Sequence, residues 1–167
     1  SKSTDGAEFA EAETAASSRL KKLLGINGKR SIDSFHRDLG KVMIDKVGMS
    51  RDADGLNDAI TRIAALREEY WQNVKVPGTG DDLNKQLEMA GRVADFLELG
   101  ELMARDALNR EESCGGHFRE EHQTEEGEAR RDDANYTYVA AWEHQGEGKQ
   151  PELHIEPIPL TVEDPPR

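Results

Sequence analysis

The chain reads as a mainly α protein, a three-helix up-and-down bundle of spectrin-repeat type with an extra helix in front and a β-hairpin with an extended tail behind. Three observations predict this. Apolar residues recur at helical spacing through most of the first 110 positions. Charged residues make up 34% of the 167-residue chain and aromatics only 5%, which suits long helices with thin cores better than a compact α/β domain. After Gly115-Gly116 the helical period gives way to alternating β-formers. The organisation expected is 1–30 as N-terminal helix and linker, 31–112 as the bundle, and 113–167 as a polar segment, hairpin and tail.

The first helix is expected from about Asp5 to Leu24, with Phe9, Ala12, Ala16, Leu20 and Leu23 on one face; Gly25 and Asn27-Gly28 stop it. The second is capped by Ser31 and carries Ile32, Phe35, Leu39, Val42 and Met43 in a stripe ending near Val47-Gly48. Asp52 or Asp54 opens the third, whose inward residues are Leu56, Ile60, Ile63, Tyr70 and Trp71, and Pro77-Gly78 closes it. The fourth spans about Asp82 to Arg110, with Thr79 and Asp82 at capping-box spacing. It has two adjacent apolar stripes, Leu83, Leu87, Ala90, Ala94, Leu97 and Met89, Val93, Phe96, Gly100, Met103, Ala107, so it must be contacted from two sides. Arg105 and Arg110 suit the negative end of its dipole.

The stretch from His117 to Asp133 is almost wholly polar and builds no core. Ordering it costs ~1–2 kcal/mol per residue in backbone entropy, which exposed ion pairs at ~0–1 kcal/mol each do not offset. It is therefore expected to be ordered by packing along the bundle or against another domain. Tyr136 to Trp142 and Glu152 to Ile158 alternate as two strands joined by the loop Glu143 to Gln150, and Pro159 to Arg167 reads as extended.

Composition excludes several function classes. A net charge of −12 argues against nucleic acid and against an anionic membrane surface. No apolar run approaches the ~20 residues that span a bilayer, and the front of the chain lacks a signal-peptide core. One cysteine, Cys114, excludes an internal disulfide and fits a reducing compartment. A soluble, intracellular protein is the expectation.

Candidate chemistry concentrates at Arg110-Glu-Glu-Ser-Cys-Gly-Gly-His-Phe-Arg119. Cys114, His117 and His122 offer three zinc-type donors, with His144 and His154 in reserve, but no second Cys-x2-Cys or His-x3-His element completes a site. Cys114 with His117 could form a nucleophile–base pair, yet Gly115-Gly116 interrupts the helix and no third orienting group is evident. Satisfied or solvated side chains are the plainer reading of both. No Gly-x-Gly-x-x-Gly unit follows a strand, so no dinucleotide-binding turn is read. The residues present no catalytic constellation.

The run Asn109-Arg-Glu-Glu-Ser-Cys-Gly-Gly-His-Phe-Arg-Glu-Glu121, with Arg131-Asp-Asp-Ala-Asn135 and the Tyr-rich strand after it, resembles the C-terminal region of the flavoprotein subunit of succinate dehydrogenase and fumarate reductase. L-aspartate oxidase carries a related segment. Leu39-Gly-Lys-Val-Met43, Val47-Gly-Met-Ser-Arg51 and Ala107-Leu-Asn-Arg110 fall in the same order as in that family, so the resemblance runs from about Phe9 to Ile158. Two departures stand out. Cys114 sits where the family commonly has Arg, and an aromatic Trp is missing near Tyr136.

The resemblance implies succinate–fumarate interconversion by a parent protein carrying FAD, with electrons passed to an iron–sulfur subunit and then quinone. It places the flavin and dicarboxylate sites in N-terminal FAD and capping domains that this chain lacks, so the chain is expected to hold no catalytic, cofactor or metal residue. Ser113, Cys114, Gly116, His117, Arg119 and Arg131 are then expected to contact those domains. The parent's location would be cytoplasmic, peripheral to the inner face of the membrane through its partner subunits. A stand-alone acidic helical interaction module is the alternative.

Overall fold

The computed structural model describes residues 3–146 and 148–159, and the expected tail beyond residue 159 lies outside them. The chain divides between Asn109 and Arg110 into two compact units.

The first unit holds α1 (Ala7–Gly25), β1 (Arg30–Ser31), α2 (Ile32–Val47), β2 (Ser50–Arg51), α3 (Ala53–Asn73), β3 (Val74–Lys75) and α4 (Lys85–Asn109). Helices α2, α3 and α4 pack on one another pairwise and α1 lies against α4, so the bundle is the one the apolar periods predict. Ser31 caps α2 by accepting a bond from the Ser34 amide, and Asp52, not Asp54, caps α3 by accepting from Gly55 at 2.8 Å. The start of α4 corrects the expected capping box. Asn84 Oδ1 accepts from the amides of Gln86 and Leu87 at 3.0 and 3.1 Å, and the helix opens at Lys85 rather than Asp82. The Asn84 amide also donates to the carbonyls of Pro77 and Thr79, which fixes the loop in front.

The core is where the stripes of α2, α3 and α4 meet. Phe35 and Tyr70 meet edge to face at 5.0 Å, and the buried Tyr70 hydroxyl donates to the Ala90 carbonyl at 2.7 Å. Gly100 is the crossing point: a Cβ there would lie 3.1 Å from Met43 Sδ and 3.3 Å from Leu39 Cδ1. Of the two stripes on α4, Ala90, Val93, Ala94, Leu97, Gly100 and Ala107 are buried. Met89, Phe96 and Met103 stay exposed, and Leu83 precedes the helix altogether.

Helix α1 departs further from its expected role. Only Leu23 of its stripe is buried, while Phe9 and Leu20 are about half exposed (54% and 46%). Its attachment is confined to the last two turns, where Arg19 pairs with Asp95 at 2.5 Å and Lys22 Nζ sits 4.5 Å from the centre of the Trp71 ring. Gly6 precedes the helix without a side-chain cap. The alanines at 12 and 16 give too little apolar area to hold the front half down.

A parallel pairing of β1 with β3, Arg30 opposite Val74 and Ser31 opposite Lys75, ties the start of α2 to the end of α3. Gly28 makes this approach possible. Its amide donates to the Val74 carbonyl, and a Cβ there would fall 1.9 Å from the Asn73 carbonyl oxygen.

The second unit contains β4 (Phe118–Arg119), a single helical turn α5 (Asp133–Tyr136), β5 (Tyr138–Glu143) and β6 (Glu152–Pro157). Strands β5 and β6 form the expected antiparallel hairpin, in register from Tyr138–Pro157 to Glu143–Glu152. Tyr136 is the exception to the predicted strand. It ends the helical turn, capped by Asp132 through the Asn135 amide. No helix among the described residues is long and apolar enough to cross a membrane.

Candidate interdomain contact

Four residues, Glu112, Ser113, Cys114 and His117, set the geometry of the motif. Glu112 and Ser113 are buried, as is Arg119, although all three are polar. Each such group must find partners or carry a desolvation cost of ~1–3 kcal/mol. Ser113 does so by closing a loop: its Oγ accepts from the Arg119 amide at 2.8 Å and donates to the Arg119 carbonyl at 3.2 Å, while its own amide donates to the Arg130 carbonyl. Cys114 and His117 pair antiparallel through both backbone groups across Gly115-Gly116, and Gly115 takes a left-handed φ of 58°.

Glu112 holds two ends together. Its Oε1 accepts from Arg110 Nη1 at 2.5 Å and its Oε2 from the Asp132 amide at 2.9 Å. The Arg110 guanidinium lies 5.6 and 5.4 Å from the ring centres of Tyr136 and Tyr138. The Arg110 carbonyl faces His117 Nε2 at 2.9 Å; a carbonyl only accepts, so Nε2 carries the proton. Arg119 Nη1 donates to the same carbonyl and Arg119 Nε to Glu121.

The polar stretch that follows has an order the ion-pair count does not anticipate. His122 and Arg130 bond through the Arg130 amide, Gln123 bridges to Ala129, and Thr124 bonds to Glu128 and Gly127. This is a backbone ladder, an internal ordering term for residues expected to depend on packing elsewhere.

Of the six residues the motif suggests, Ser113 and Arg119 are buried, Cys114 and His117 are half-buried, and Gly116 and Arg131 are exposed. Arg131 pairs with Asp133, which holds its guanidinium above the ordinary arginine range, with Cys114 adding to the effect. Glu112 and Arg110, which join the segment just after α4 to residues 132–138, are missing from that set. Their signal is positional, since they stand where the helical period ends.

The zinc-type grouping does not form. Among the described residues the donors of Cys114, His117 and His122 do not converge; His117 Nε2 is committed to Arg110 and His122 Nδ1 faces Arg130 at 3.3 Å. The trio that does converge is Glu143, Glu152 and His154, all exposed, with His154 Nε2 2.7 Å from Glu143 Oε2.

A third buried charge lies in the bundle. Glu101 on α4 is 7% exposed and takes Arg67 of α3 at 2.6 Å on Oε2 and Arg105 at 2.6 Å on Oε1. The helical pattern hides it, because Glu101 follows the buried Gly100 within a run of ordinary helix formers.

Several known proteins are similar to this chain. A sequence model described as the fumarate reductase flavoprotein C-terminus matches residues 36–167. The fumarate reductase flavoprotein subunit of Proteus vulgaris is 27% identical over 87% of this chain and 23% of its own length. An uncharacterized FAD-dependent oxidoreductase of Methanocaldococcus jannaschii is 33% identical over 66% of this chain and 20% of its own. A structure of E. coli quinol fumarate reductase superposes with a TM-score of 0.80 at 24% identity, covering 99% of this chain and 27% of that one. The chain thus spans about a quarter of the length of the relatives it matches.

Proposed function

The chain belongs to the family of fumarate reductase flavoprotein C-terminal domains, and on that premise we propose that it buttresses the catalytic part of an FAD-dependent enzyme interconverting succinate and fumarate. The observation that carries the reading is the asymmetry of coverage. The likeness takes in 87% of this chain but 23% of a relative whose name states the flavoprotein activity.

In this reading the flavin and dicarboxylate sites belong to domains of the parent protein that lie N-terminal to the bundle. The bundle of α2, α3 and α4 is a rigid support; Cys114, Gly116, His117 and Arg131 meet the FAD and capping domains, and the buried Ser113 and Arg119 hold them in place from behind. The buried Glu112–Ser113–Arg119 bonding supports this, because it fixes the backbone that presents Gly116 and Arg131 at the surface. The parent enzyme passes electrons to an iron–sulfur subunit and sits peripherally on the cytoplasmic face of the membrane through its partners.

The test uses the purified chain. Mixed with FAD and succinate, it should return colourless from gel filtration and show no turnover with an artificial electron acceptor. A yellow protein, or dicarboxylate oxidation, overturns the supporting role. Reading the gene upstream tests the parent: an open frame with a strand, a Gly-x-Gly-x-x-Gly turn and a helix is the expected finding.

A further inference from the structure

We draw no further inference here: the strongest candidate, the Glu143, Glu152 and His154 side-chain cluster on the exposed face of the C-terminal hairpin, carries nothing, because its two carboxylates and imidazole already have partners in His154–Glu143 and Gln145–Glu152 and no second observation points to a bound ion.

Discussion

Ser113 and Arg119 exchange two hydrogen bonds through a single hydroxyl, which accepts from the Arg119 amide at 2.8 Å and donates to the Arg119 carbonyl at 3.2 Å. One buried side chain thereby completes the backbone of a residue six positions on, and the Gly115-Gly116 turn between them has its ends fixed.

Ser113→Ala removes both bonds and leaves two buried backbone groups without that partner. A loss of about 1–3 kcal/mol is expected. Hydrogen exchange should show it as faster exchange at Arg119 and Ser113, with the amides of α3 unchanged. Unaltered exchange at Arg119 would sink the assignment.

Glu101→Ala leaves Arg67 and Arg105 without their shared carboxylate. Both guanidiniums keep some solvent access, at 30% and 24% side-chain exposure, so the loss should fall at or below the low end of the ~3–5 kcal/mol seen for a broken buried pair. Replacement by Met, which also removes the desolvated charge, should cost less than replacement by Ala. Urea denaturation of the two variants separates these outcomes; equal midpoints contradict the argument.

Gly28→Ala and Gly100→Ala should diverge sharply. At Gly28 the new methyl group meets the Asn73 backbone at 1.9 Å, so the β1–β3 pairing has to open. At Gly100 it meets the end of Met43, a flexible side chain, at 3.1 Å, and Ala gains ~0.5–1 kcal/mol over Gly inside a helix. Thermal melts should show Gly28→Ala clearly destabilised and Gly100→Ala within about 1 kcal/mol of the parent chain. A neutral Gly28→Ala would contradict the close approach.

Tyr70 gives the bundle a pH dependence at the alkaline end. Burial raises its phenol above the ordinary tyrosine value, with Arg19 opposing the shift and Asp95 reinforcing it. The folded chain therefore holds this proton after the unfolded chain has lost it near pH ~10. The stabilisation is complete below that pH and is lost as pH rises toward the folded value. Stability should fall more steeply between about pH 10 and 11.5 in the native chain than in Tyr70→Phe. That variant should also lose about 0.5–1.5 kcal/mol at neutral pH with the Ala90 bond. Parallel alkaline limbs in urea melts would refute the role of this hydroxyl.

How much of this was legible depended on whether the cause was local. The α2 stripe of Ile32, Phe35, Leu39 and Val42 and the caps Ser31 and Asp52 act within one helix, so period and residue type suffice. Asn84 took over the α4 cap because its side chain also reaches back to Pro77 and Thr79, a loop geometry that spacing does not encode. Phe9 and Leu20 have the right period, but an apolar face shows what can be buried and not what covers it. In the second unit the motif pointed to Ser113 and Arg119, and both are buried. The ladder through His122, Gln123, Thr124, Glu128 and Arg130 was illegible because backbone bonds leave no mark in residue type.

The clasp at Gly28 and Asn73 has a bearing on chain continuity. It joins the opening of α2 to the close of α3, while the 48–52 connection joins their other ends, so this helix pair is shut at both extremities. A nick at the solvent-facing Met49 should therefore release nothing: two separately expressed pieces, parted there, should reassemble by complementation.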